Sequence, residues 1–227
     1  MKRAFPILAV VTAILLAYAF YEAIWVAPME RTMGDVQRIF YYHVPSAWTA
    51  FLLFFVNLVA SVIYLVRRNP RADAVALVSA EVGVVFCTIV LVTGPIWARP
   101  VWGIWWTWDI RLTTTLVLWL IYVSYLVLRR FSESSQTPKL AAVLAIFGAL
   151  DVPLVYFSIW FFRTQHPQPV IGGGGSIDPR MLHVLLINWL AFSCLALVFS
   201  WARYRLELLQ REVEEAESLQ SLRGVPQ

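Results

Sequence analysis

The chain has 227 residues, 60% of them hydrophobic and 14% charged, with mean hydropathy +0.69 and a formal net charge of +4. Soluble domains average about 45–50% apolar and about 25% charged residues, so this composition excludes a soluble enzyme, a disordered chain and a collagen-like repeat. Two cysteines exclude a disulfide scaffold, and long unbroken apolar blocks in place of alternation exclude an outer-membrane β-barrel.

A membrane-crossing helix needs about 20 mostly apolar residues. Blocks at about 6–27, 46–66, 73–94, 113–129, 140–162 and 181–202 meet that length and predict an all-α polytopic bundle of six transmembrane helices. The first block follows Met1-Lys2-Arg3 and contains Ala17-Tyr18-Ala19, as a signal peptide would, but its apolar run continues through Trp25 to about Ala27 and reads as a retained signal-anchor helix. With the N-terminus inside, the inner segments hold twelve of the 18 Lys and Arg residues; Arg31, Arg38, Arg99, Arg111, Arg163 and Arg180 lie outside. Both termini are then cytoplasmic. The positive charge follows from topology and implies membrane lipid, not nucleic acid, as its partner. The expected organisation is a six-span membrane domain over 1–202 with outer loops at 28–45, 95–112 and 163–180. A cytoplasmic helical tail over 203–227 follows, with apolar Leu206, Leu209, Val213 and Ala216 among acidic residues.

This topology places His43, His166 and His183 at the outer face, together with five of the eleven tryptophans. In the first outer loop His43 stands before Pro45, at a helix start. The second loop carries Trp97, Trp102, Trp105, Trp106 and Trp108 within twelve residues, interleaved with Pro and Gly and flanked by Asp109 and Arg111. Such a loop reads as a flat, rigid aromatic surface. Asp109 and Arg111 fix it or meet the polar groups of a ligand. The third loop carries His166 and the run Gly172–Gly175, a hinge without the Lys-Ser/Thr of a phosphate loop. Neutral imidazole ligates transition metals and haem iron. An aromatic shelf between two histidine loops therefore suits haem, with His43 and His166 on opposite faces of the iron and outer arginines on the propionates. The same residues also admit a plainer reading, of interfacial tryptophan anchors and hydrogen-bonded histidine caps.

The segment Trp102-Gly-Ile-Trp105-Trp106-Thr-Trp108-Asp109-Ile-Arg111-Leu-Thr113 resembles the WWD signature of the haem-handling proteins of cytochrome c biogenesis. Over nearly its whole length the chain resembles the CcmC family within that group. Tyr42-His43-Val44-Pro45-Ser-Ala-Trp48, Asp151-Val-Pro153 and Ile177-Asp178-Pro179-Arg-Met181 also fit. The resemblance implies a multi-pass protein of a bacterial cytoplasmic membrane that holds haem b (iron protoporphyrin IX) at the periplasmic face. It implies that the tryptophan loop lies against the porphyrin and that His43 and His166 ligate the iron. It further implies delivery of haem to the periplasmic chaperone CcmE, in an assembly with the small membrane protein CcmD and the ABC transporter subunits CcmA and CcmB, without chemistry on the porphyrin. Arg163 stands where the family pattern has an amide before the second histidine, and His183 is the alternative second ligand.

Glu81 and Asp151 interrupt apolar spans, as do Asn57 and Asn188. Such groups face the bundle interior; they read as interhelical hydrogen bonds, with a proton relay or a haem path as the alternative for the acids. Pro153 predicts a kink beside Asp151. Cys87 and Cys194 read as packing residues, and the absence of Cys-x-x-Cys-His excludes a c-type cytochrome. Two other functions compete with haem delivery. A b-type electron-transfer subunit would place paired histidines inside the spans. A haem transporter would need a polar central path.

Overall fold

The computed structural model describes residues 3–132, 134–162, 164–167 and 177–223, so Arg163 and the Gly172–Gly175 run lie outside the described residues. Each helix begins and ends where the sequence supplies a signal. α1 (Ala4–Tyr21) continues into one π-helical turn (Glu22–Val26) and stops at Ala27, held extended by the Pro28 that follows. A 3-10 turn (Asp35–Ile39) leads into α2 (Phe40–Arg67), which ends at Arg68 in the left-handed conformation. α3 (Pro70–Trp102) starts on Asn69, whose side-chain oxygen accepts the Arg71 N–H at 2.9 Å, and ends at Gly103 with φ +78°, a backbone angle that suits glycine. α4 (Ile110–Phe131) starts on Asp109, whose carboxylate accepts the Leu112 N–H at 3.0 Å. α5 (Thr137–Ala149) and α6 (Asp151–Phe161) form one crossing broken at Leu150. Pro153 has no N–H for the Ala149 carbonyl four residues back, so the break falls where the sequence predicts a kink. α7 (Pro179–Arg223) runs 45 residues, and the tail from Arg203 is its continuation.

Six helical stretches among the described residues are long and apolar enough to cross a membrane: Ala4–Val26, Asp35–Arg67, Pro70–Trp102, Ile110–Phe131, Thr137–Phe161 and Pro179–Ser221. The all-α, six-span expectation holds. Two expected loops are shorter than 28–45 and 95–112 suggest. α2 already begins at Phe40, and α3 passes through Pro95 and Pro100 to Trp102. A proline removes only its own N–H bond, and a helix packed in a bundle absorbs that loss, so the α3 signal that counts is Gly103.

α2 is central and packs on α3, α7 and α5; α4 closes on α3, α5 and α6; α1 lies at the edge against α7. The core is aromatic. Phe54 stacks on Tyr122 with ring centroids 3.8 Å apart and planes 10° apart. Gly83 admits this pair, since a Cβ there would stand 2.7 Å from Phe54 Cε1. The ring is fully buried and cannot retreat. Gly83→Ala is therefore expected to cost about 1–3 kcal/mol by overpacking, read as a lower thermal midpoint in detergent; an unchanged midpoint would show that the ring moves freely.

Both intramembrane asparagines bond across helices as expected. Asn57 Nδ2 donates to Ala76 O at 2.6 Å, joining α2 to α3, and Asn188 Nδ2 donates to Ala19 O at 3.3 Å, joining α7 to α1. Glu81 pairs with Arg203, at 2.8 Å from Nε to Oε2. Asp151 is buried, and its Oδ2 has no hydrogen-bond partner among the described residues.

Candidate functional site

Four segments meet at one end of the bundle: the start of α2, the end of α3, the start of α4 and the short stretch after α6. The α2–α3 turn and the α7 tail lie at the other end, where Arg211 reaches the Pro70 carbonyl. The first end holds a cavity lined by His43, Trp97, Trp102, Trp106, Arg111 and His166. A second recess shares His43, Trp97, Arg111 and His166 with it and extends to Trp48, Tyr156 and Trp189.

His43 lies in the first turn of α2 and is 8% exposed. Its Nδ1 is 2.9 Å from Thr93 Oγ1 on α3. The Thr93 hydroxyl donates its one proton to Ile89 O at 2.6 Å, so towards His43 it accepts. Nδ1 therefore carries the proton, and Nε2 keeps a free lone pair. His166, on the non-helical stretch after α6, is fixed in the same tautomer, because its Nδ1 lies 2.9 Å from Pro167 O and a carbonyl only accepts. A hydrogen-bond acceptor on Nδ1 is the usual arrangement of a metal-binding histidine.

The two rings have centroids 6.4 Å apart and planes inclined by 34°. A metal–imidazole bond is about 2 Å long, so two opposed bonds and two ring radii place the centroids a little over 6 Å apart. The observed separation thus has room for one metal between the rings. Burial, and secondarily the Arg111 guanidinium, pushes the His166 imidazole down to about 4, which keeps it neutral and able to ligate at physiological pH.

The five tryptophans divide into two groups and do not form one flat surface. Trp97 and Trp102, on the last turns of α3, and Trp106 on the loop line the cavity, and Trp97 meets His43 edge to face at 5.8 Å. Trp105 and Trp108 point outward, 59% and 76% exposed. Three nitrogens of cavity-lining residues are buried without a hydrogen-bond partner among the described residues: Trp97 Nε1, Trp106 Nε1 and Arg111 Nη1. Unpaired buried donors are costly and point to an acceptor that the site is shaped to receive.

Asp109 does not line the cavity. It caps α4 and also accepts the hydroxyls of Thr107 at 3.3 Å and Thr164 at 2.9 Å. His183 is exposed on α7, away from the cavity lining. Sequence reasoning missed Thr93 and Thr164. Thr93 gives no local signal, since it lies 50 residues from His43. Thr164 stands two residues before His166, the spacing at which a threonine hydroxyl receives a backbone N–H, and that spacing was readable.

Fold and site together define a class, a six-span helical membrane protein with a two-histidine, tryptophan-walled cavity at one end. The family model described as heme exporter protein C (CcmC) matches residues 1–219, and the chain belongs to that family. It is 38% identical to heme exporter protein C of Bradyrhizobium diazoefficiens, over 97% of this chain and 85% of that protein. It is 32% identical to heme exporter protein C of Escherichia coli K12, over 91% of this chain and 84% of that protein. A putative cytochrome c biosynthesis ccmC-like mitochondrial protein of Marchantia polymorpha is 35% identical, over 82% of this chain and 79% of its own length.

Proposed function

We propose that this protein binds haem b at the periplasmic face of the bacterial cytoplasmic membrane, with both termini cytoplasmic, and delivers it for cytochrome c maturation without altering the porphyrin. The observation that carries the reading is the histidine pair, two neutral imidazoles whose Nε2 atoms have no partner among the described residues and whose centroids are 6.4 Å apart. Two ligands suit a metal whose other positions are already filled, as iron's are in a macrocycle. A porphyrin plane extends on every side of the axis between its two ligands, and two recesses share the pair.

In this reading His43 and His166 are the axial ligands, and Trp97, Trp102 and Trp106 form the apolar wall. Arg111, with the indole N–H groups of Trp97 and Trp106, receives the propionates as charge-assisted hydrogen bonds. The exposed Trp105 and Trp108 face the side from which an acceptor takes the haem. Family membership supports CcmE as that acceptor and CcmD, CcmA and CcmB as partners of the assembly. The ligands are unequal, as delivery requires. His43 is buried in a helix, whereas His166 is half-buried on a non-helical stretch and is the ligand an acceptor displaces.

Titration of the purified full-length protein with haemin in detergent tests this. A saturable Soret band with the low-spin signature of two imidazoles is expected. A high-spin, five-coordinate spectrum at saturation would overturn the pair. The pH dependence follows from the tautomers. Protons compete with iron for Nε2 of His166 only as pH falls through about 4, so the low-spin spectrum is expected to persist from pH 8 to about 5 and to fade below that. Loss centred near 6.5, the value of a free imidazole, would show that His166 is not held as described.

A further inference from the structure

We infer that Asp109 does not touch the haem but positions its second ligand, acting through Thr164. This rests on the reading of His166 as that ligand. Asp109 Oδ1 accepts the Leu112 N–H at 3.0 Å and so fixes the start of α4. Its Oδ2 accepts the Thr164 hydroxyl at 2.9 Å, across 55 residues of sequence. Thr164 has one hydroxyl proton, and Asp109 takes it. The Thr164 oxygen therefore presents a lone pair, which accepts the His166 backbone N–H at 3.1 Å.

His166 is thus held at two points. Its amide is tied to the carboxylate through Thr164, and its ring is tied by Nδ1 to the Pro167 carbonyl. The same carboxylate also takes the Thr107 hydroxyl, beside Trp106, and caps the turn that carries Arg111. One anionic group thereby sets the cavity wall, the propionate-facing arginine and the second ligand in a common register. Thr164 belongs to the last of these connections alone and isolates it.

Two substitutions separate the strut from the cap. Thr164→Val keeps the shape and removes both hydrogen bonds. Asp109→Asn keeps a competent cap, since asparagine caps as well as aspartate, but places an amide where Thr164 needs an acceptor. In the full-length protein titrated with haemin, each is expected to weaken binding roughly 10–100-fold, the usual effect of losing a group that orients a ligand, and to convert the low-spin six-coordinate spectrum to a high-spin five-coordinate one. Added imidazole restores six-coordination in both variants, and Thr164→Ser behaves as the native protein. The double variant loses no more than the worse single one, because both break one chain of bonds. In the haem-free protein, amide hydrogen exchange at His166 is faster in both. A native spectrum, affinity and exchange rate in Thr164→Val would overturn the strut, as would additive losses in the double variant. His166→Ala separates the two ideas. If that variant stays six-coordinate, the ligand assignment fails, whereas five-coordinate His166→Ala beside six-coordinate Thr164→Val refutes only the strut.

Discussion

His43→Ala is expected to abolish the six-coordinate haem spectrum and to weaken haemin binding by more than the roughly 10–100-fold that a residue orienting a ligand is worth. The expectation rests on position. His43 is buried in the first turn of α2, its ring wedged against Trp97 and its Nδ1 held by a threonine that can only accept. Neither water nor another side chain of the cavity lining replaces a neutral nitrogen there. His166→Ala should cost less, because a half-buried stretch admits added imidazole to the vacated position. Thr93→Val should cost less again: it leaves the His43 ring in place but frees its tautomer, for a loss within the range of about 10–100-fold. The order His43, His166, Thr93 is the readout, taken by absorbance titration with circular dichroism to verify the helices. His43→Ala binding haemin within tenfold of the native protein would remove His43 from the iron.

Much of this architecture was legible from the residues alone. Six apolar blocks each need a crossing, and their physics is local, so the count of helices followed directly. The limits of α3 did not follow, because Pro95 and Pro100 read as breakers when the bundle in fact absorbs them and Gly103 ends the helix. The histidines of the site were legible through topology, which gathers His43 and His166 at one end. What holds them was legible only in part. The Thr164–His166 spacing was readable, but the bonds from His43 to Thr93 and from Thr164 to Asp109 span 50 and 55 residues, and no periodicity reports such a pairing. The tryptophan cluster was legible as a cluster but not as two groups, since which rings face the cavity depends on how α3 and the loop after it pack against the other helices. In the sequence Asp109 suits either fixing the loop or meeting a ligand; the geometry favours the first.

The second large effect lies at the opposite end of the bundle. Asp73→Asn is expected to destabilise the protein by about 3–5 kcal/mol, the usual consequence of removing one partner from a buried ion pair. Asp73 and Arg129 side chains are 6% and 10% exposed and pair through both guanidinium nitrogens, with Nη2 to Oδ2 at 2.9 Å. Arg211 of α7 adds a second cation to the same carboxylate, at 2.8 Å, and also reaches Glu207 and the Pro70 carbonyl. One carboxylate thus ties α3, α4 and α7 together. Asparagine retains the size and loses the charge, which leaves Arg129 buried without its counter-ion. For a chain of this length the loss corresponds to a midpoint lower by roughly 10 °C in detergent. Arg211→Gln should shift it far less, because Asp73 keeps Arg129 and the vacated place is partly open to solvent. The contrast between the two variants is the test: equal large shifts would place the tie in the Arg211 pair alone, and a midpoint for Asp73→Asn within about 1 °C of the native value would mean that the helices are joined by apolar packing alone. Faster tryptic cleavage at Arg205 and Arg211 in Asp73→Asn would show the same loosening from the side of α7, since a helix freed from its carboxylate frays from the end that the ion pair holds.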